Sequence, residues 1–419
     1  MAYTGGEPAM LHSPHASEAA PRARSWWFAC AVLFASIPPA MAFAHRSAPL
    51  FGTAAALLAL AACAREGALP VLCRQAEAAL LTRLGAAATV FLIYGALSIA
   101  WSPAPASSLY AYGEFLVAIL AGFVLALSLP ARAPRWLWIL LAALAIGATW
   151  VLLIDLALGL PVRRAMGWRM NTFVYNRPAL TLLVIAPPLL TALIEQRHRL
   201  LALAVAGFVA AAILQSESGA AKLGALVALG AYGAGRWLRP VALATATATI
   251  VLALALAPLA GDMLQRLLPS AAHQALATSN SQARVDIWRS FGAAVKYQPW
   301  FGAGFAPGSS FPDSPKVADL DPAYRTFLVA GHPHNGALQI WSELGAAGAF
   351  VAVLVLCLIL RSLSGLPPAS FAAGLAVFAA AAAVSFVGHG LWQGWWAASI
   401  GAAIVAIRML AREERERAR

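Results

Sequence analysis

The chain has 419 residues, of which 61% are hydrophobic and only 11% charged, and its formal net charge is +12. A soluble globular domain carries about a quarter of its residues as charge, so this composition excludes one and calls for lipid as part of the solvent. The positive balance does not point to nucleic acid, because the cations sit in short clusters between apolar runs and form no basic stripe interleaved with aromatics.

At about 20 residues per crossing, the length allows roughly ten to fourteen spans. Apolar runs cover 26–44, 48–64, 84–101, 109–129, 135–159, 178–195, 199–215, 219–236, 240–260, 336–360, 370–387 and 391–410. In lipid each segment must satisfy its own backbone polar groups, so the predicted fold is an all-α integral membrane protein of about 12 transmembrane helices. Residues 1–25 read as an N-terminal tail, 26–260 as the first nine helices, 261–335 as one large loop, 336–410 as the last three helices and 411–419 as a C-terminal tail. No small-residue cleavage site follows Arg22 and Arg24, so the first run is read as a retained span. The 65–83 stretch reads as an interfacial helix, the Ala-rich run 371–384 as a closely packed one, and the mixed-charge tail as a solvated anchor. Cys30, Cys63, Cys73 and Cys357 have neither metal nor disulfide spacing and read as packing residues.

Short-loop cations set the orientation. With a cytoplasmic N-terminus, the inside set holds Arg22 and Arg24; Arg65, Arg74 and Arg83; Arg132 and Arg135; Arg197 and Arg199; Arg236 and Arg239; Arg361; and the tail from Arg408. Most outside loops, such as 45–47, 101–108 and 386–391, are then nearly free of cations, and both termini are cytoplasmic. The exceptions carry information. Arg163, Arg164, Arg169 and Arg177 share one outside loop, Lys222 lies at the outer end of the eighth span, and the 261–335 loop holds Arg284 among others. An anionic ligand at the outer face would explain cations placed against the topology rule.

The large loop ends in AGHPHNGALQIWSELGAAG, residues 330–348, which puts His332, His334 and Asn335 at the membrane boundary. Glu343 lies nine residues beyond His334, about two and a half helical turns into the span. Three readings are open for the histidines. They are metal ligands, although the spacing matches no zinc signature; or a helix-end cap; or, the reading preferred, one of them is a general base at the lip of the membrane. Residues 282–297 place Arg284, Trp288 and Phe291 on one face and predict an amphipathic helix lying on the membrane. The WFGAGFAPG turn after it, with Gly302, Gly304 and Gly308, is read as a flexible border to an anionic headgroup. Pro178 is placed to open the sixth span just after Arg177. The chain has no P-loop, nucleophile elbow or HExxH, which argues against ATP-driven transport, and WSPAPASS after the third span lacks the acidic residue that many metal-dependent membrane glycosyltransferases carry in their first outer loop.

These residues resemble the O-antigen ligase and polymerase superfamily. The resemblance rests on His334-Asn335 followed by Gly345 at the end of the one large loop, on Arg284 with Trp288 four residues on and the turn of Pro299, Gly302 and Gly304, and on SESGAAKLGALVA with Lys222. Two positions depart from that pattern: Gly348, where ligases often carry Thr, and Lys222, where Arg is common. The resemblance implies a GT-C-like glycosyltransferase in the inner membrane of a Gram-negative bacterium, with its active site facing the periplasm. It implies an undecaprenyl-diphosphate-linked glycan donor, a lipid A–core acceptor, membrane lipids as surroundings, and neither metal nor cofactor. A monomer is expected. Arg177, Lys222 and Arg284 would hold the diphosphate, His334 would be the base with His332 its rival, and Asn335 or Glu343 would orient the His. A polymerase, a protein O-oligosaccharyltransferase and a transporter are the alternatives, in that order.

Overall fold

The computed structural model describes residues 20–267 and 281–419. The predicted N-terminal tail up to residue 19 and residues 268–280 of the large loop lie outside the described residues. Among the described residues the chain is helical, with eighteen α-helices joined by short turns and 3-10 segments and no strand.

All twelve predicted segments fall on helix. The first is a bent pair, α1 (Ala20–Ala35) and α2 (Ile37–Phe43), broken at Ser36 with a 47° bend. There follow α3 (Ala48–Arg65), α4 (Leu69–Leu80), α5 (Arg83–Ser98), α6 (Pro105–Ser128), α7 (Trp136–Ala157), the short α8 (Pro161–Ala165) and α9 (Asn176–Glu195). Next come α10 (Arg199–Gln215), α11 (Gly219–Trp237) and α12 (Arg239–Leu256). The large loop supplies α13 (Ala260–Leu267), α14 (Ser281–Tyr297) and α15 (Pro322–Leu328), and the chain closes with α16 (Gly336–Leu363), α17 (Pro368–Val387) and α18 (Gly394–Ala418). Nine of the segments are long and apolar enough to cross a membrane by themselves, and the bent pair makes a tenth. α10 is shorter, and the Gly-rich α11 falls below the same apolarity. The protein is a multi-pass membrane protein. The 65–83 stretch forms α4, which is largely exposed and buries only Leu72.

Small residues set the closest helix contacts, since apolar side chains gain little from each other in lipid. α6 and α18 cross where a Cβ on Gly122 would lie 3.2 Å from the Cα of Gly401. α11 and α17 touch in the same way, with Gly235 against Ala372. The Ala-rich run therefore packs as its composition predicts.

The loops sort into two ends. At one end Arg132 pairs with Glu66 at 2.9 Å, and Arg239 donates to the carbonyls of Ser364 and Leu366. The tail is not a solvated anchor. α18 runs on to Ala418, and its polar residues tie that end together: Glu413 accepts from Trp138 and Gln196, Glu414 accepts from the amides of Ala369 and Ser370, and Arg412 donates to Pro130. Free backbone amides at the start of a helix attract a carboxylate, which explains Glu414 at the head of α17. The loops gathered here are those of the predicted inside set. The predicted outside loops meet at the opposite end, where Ser108 reaches Ala306 and Thr172 reaches Glu217.

Candidate active site

The long helix α16 is broken one third of the way along. Gly345 has φ +65° and ψ −165°, outside the helical region. Such a break strands backbone carbonyls and amides in the protein interior, and each needs a partner. Loop residues 299–304 supply them. Ala303 donates to Ser342 O at 2.9 Å, Gly304 to Glu343 O at 2.8 Å, and Ala346 to Pro299 O at 2.7 Å. A Cβ on Gly302 would lie 2.3 Å from the carbonyl carbon of Glu343, so only glycine lets the two backbones approach this closely. The WFGAGFAPG turn is thus a plug in a broken helix. Three of its amides, those of Ala303, Gly304 and Ala306, are spent on α16, so the turn is pinned to that helix and is not the flexible segment expected.

Glu343 completes the plug. Its carboxylate accepts from Gln339 Nε2 at 2.8 Å, Ala306 N at 2.8 Å and Trp392 Nε1 at 2.6 Å. Gln339 in turn accepts from Leu391 N at 2.9 Å. These bonds clamp the large loop, α16 and the α17–α18 link together. None of them reaches His334, so the expected orienting contact from Glu343 is absent. α14 forms as predicted, but its apolar face, with Phe291 and Val295, is buried against protein, so the expectation that it lies on the membrane is corrected.

Asn335 is the N-cap of α16, accepting from Leu338 N at 3.1 Å. It therefore caps the helix and does not orient the His. His334 sits just before it with φ +52°, a left-handed conformation that a branched or bulky side chain seldom adopts. Its Nδ1 lies 2.9 Å from Gly388 O. A carbonyl only accepts, so Nδ1 carries the proton and Nε2 keeps a free lone pair. His332 has the opposite arrangement. Its Nδ1 accepts from His334 N at 3.3 Å, which leaves its proton on Nε2. Only His334 of the pair therefore presents a free basic nitrogen. Burial holds both rings neutral: His332 is pushed down to about 4 by burial and by His334 and His389. His334 is lowered by burial, against the Gly388 bond, and further by Arg284.

Two of the three predicted cations join this group. Arg284 reaches across from α14 to donate to Val387 O, one residue before the Gly388 carbonyl that holds His334. Arg177 places its guanidinium 5.6 Å from the ring centre of Trp395. Pro178 follows it in the first turn of α9, as the sequence suggested. Lys222 does not join. It is exposed on α11, and among the described residues none forms a hydrogen bond or ion pair with its ammonium group.

His389 was missed by the sequence reading. Its ring stands edge-on to Trp395 at 5.4 Å, and Arg177, His334 and Arg284 all act on it electrostatically. The 386–391 link was read as nearly free of cations, which passed over a histidine between two glycines. Arg163 was grouped with Arg177, but it is buried and structural. It donates to Arg169 O and lies over Trp168 and Tyr175. Asp155, fully buried, fixes the same loop by accepting from Tyr175 Oη, Val162 N and Arg163 N. Asp155→Ala orphans three donors, so a loss of about 3–9 kcal/mol is expected in thermal unfolding in detergent; an unchanged midpoint would show that the loop does not depend on this carboxylate.

An apolar cavity of about 330 Å³ runs between α16, α17 and α18. Gly336, Leu391 and Trp392 line it next to the histidines, and Leu363 and Gly374 line its far end. Among the described residues, no group of three or more His, Cys, Asp and Glu side chains is placed to hold a metal ion.

Residues 202–353, from α10 to just past the break in α16, match the family model described as O-antigen ligase. Curated relatives agree. A Rickettsia felis protein named "Putative polysaccharide ligase" is 27% identical over 150 residues, 35% of this chain and 34% of the relative. A Rickettsia prowazekii protein with the same description is 29% identical over 153 residues. The chain spans about a third of the length of the curated relatives it matches. The resemblance carried by His334, Asn335, Gly345 and the 281–304 segment therefore holds at the level of this family.

Proposed function

We propose that this multi-pass membrane protein, with its O-antigen-ligase-type region as premise, is an O-antigen ligase. It transfers a polysaccharide from undecaprenyl diphosphate to the lipid A–core oligosaccharide at the periplasmic face of the inner membrane. The observation that carries this reading is the convergence of Arg177, Arg284 and a histidine with a free Nε2 beside one end of an apolar cavity. A polyprenyl diphosphate has the matching shape: an apolar chain ending in two phosphates. The chain lies in the cavity, and the diphosphate lies against Arg177 and Arg284, with Lys222 an outer-rim contact.

The acceptor hydroxyl gives its proton to His334 Nε2 as its oxygen attacks the anomeric carbon. The bond to the diphosphate breaks with its electron pair leaving on the phosphate oxygen, and fixed guanidinium groups stabilise that charge. In-line attack inverts the anomeric centre.

The test uses purified protein with undecaprenyl-diphosphate-linked glycan and lipid A–core, in EDTA, with products read by gel. High-mass lipopolysaccharide is expected. Glycan that lengthens on its carrier while lipid A–core stays bare would replace the ligase reading with a polymerase. Arg177→Ala and Arg284→Ala are each expected to lower kcat/KM by about 10², the usual cost of one lost charge-stabilising donor. Lysine at either position restores part of it, since it brings charge without the fork; full activity in either alanine variant removes that residue from the site.

The pH profile has a definite sign. His334 must be neutral to act, and its pKa is lowered from 6.5. Activity therefore holds through neutral pH and is lost only as pH falls through a value below 6.5. An acid limb above that value would point to another base.

A further inference from the structure

The link between α17 and α18, residues 388–393, is where the site's parts meet. The carbonyl of Gly388 takes His334, the adjoining carbonyl of Val387 takes Arg284, and Trp392 reaches Glu343. Yet its own titratable side chain, His389, has no role in the steps above. It is partly buried, and among the described residues no hydrogen bond holds its ring nitrogens; the ring packs at a right angle to Trp395. Arg177 lies over the same indole.

The charged groups that act on His389 are cations, Arg177 from α9 and Arg284 from α14, and the neutral rings of His332 and His334 stand on the link before α16. α11 approaches through Ala220, whose Cβ lies near Gly388, and its Lys222 faces outward. A carboxylate on the same side is Glu114 of α6, which lies against Gly394 and acts on Arg177. A neutral imidazole in such company is held so by its neighbours: burial, then Arg177, His334 and Arg284, bring its pKa down to about 4.

Resting on the ligase reading, we infer that His389 is a further contact to the anionic diphosphate, taking a proton from solvent when that ligand is seated and donating a hydrogen bond to it. The physical cause is charge cancellation. A seated diphosphate neutralises Arg177 and Arg284, the two cations that most oppose protonation from outside the histidine group, and adds negative charge beside the ring. The proton returns to solvent when the diphosphate departs, so the cycle is balanced. His389 and His334 then do opposite work: one stays neutral to accept the acceptor's proton, and the other becomes charged to hold the leaving group.

The experiment titrates the full-length protein in detergent with farnesyl diphosphate, by calorimetry at pH 7 in two buffers of different ionisation heat. The wild type is expected to bind with uptake of about half to one proton per ligand. His389→Gln should bind about tenfold more weakly, the loss of one charge-assisted hydrogen bond, and take up almost none. Protons per bound ligand do not depend on how much of a variant is folded, so this readout survives partial misfolding. Equal affinity and equal uptake in wild type and His389→Gln overturn the inference and leave the ligase reading intact. Loss of uptake in His334→Gln in place of His389→Gln also overturns it, by assigning the proton to His334. Absence of any farnesyl diphosphate binding by wild type removes the proposed donor site, and this inference with it.

Discussion

His334→Ala is expected to lower kcat/KM for glycan transfer by about 10³, within the 10²–10⁴ that a positioned general base contributes. The expectation rests on tautomer and conformation together. Nδ1 is committed to Gly388 O, so Nε2 faces the site with its lone pair free. The left-handed backbone at His334 is held by its own amide donating to His332 Nδ1, and the Asn335 cap follows at once. His332→Ala therefore costs positioning only, about fivefold, because a lost hydrogen bond of about 1 kcal/mol loosens the turn without removing the base. His334→Gln keeps a donor for Gly388 O but has no basic nitrogen, and it should be as inactive as the alanine variant. If His332→Ala proved the more damaging substitution, the two histidines would have to exchange roles.

Glu343→Leu is expected to remove folded protein, not merely activity. The leucine side chain orphans Gln339 Nε2, Ala306 N and Trp392 Nε1 in a buried place. At about 1–3 kcal/mol for each stranded donor, the loss is about 3–9 kcal/mol, a large part of a protein's net stability. Glu343→Gln keeps an accepting oxygen and a similar shape, so its cost is about 1–2 kcal/mol. The measurement is the thermal unfolding midpoint in detergent, with specific activity of the surviving fraction. A leucine variant as stable as wild type would mean that the clamp between the large loop and α16 contributes little.

Much of the fold is legible because a span is a local property. Twenty apolar residues mark themselves whatever they later touch, and arginines in short loops sort the ends. His334 and Asn335 are legible for a related reason, since polar residues at a membrane edge need an explanation. The parts that escaped are those made by distant contacts. Nothing local marks Gly345 as a break, because glycine is ordinary in membrane helices, and the plug pairs residues some 40 positions away. Glu343 was rightly singled out as costly in an apolar span, but its partners come from three separate segments. His389 was hidden by being judged with its loop's arginine count. The tail was misjudged because Glu413 and Glu414 find their partners only once the other loops are present.

The place of α18 also has a bearing on how the chain is made. Synthesised last of the described helices, it is nonetheless among the most enclosed, packed against α3, α6, α9 and α17 with 72% of its apolar window buried. At ribosomal speeds of about 5–20 residues per second, α3 and α6 wait tens of seconds in the membrane before that partner exists. During this interval Gly122 faces lipid or an insertase instead of Gly401. A ribosome stalled before residue 394 leaves an open bundle with a small-residue seam exposed, which is the kind of surface that membrane quality-control proteases and holding factors act upon.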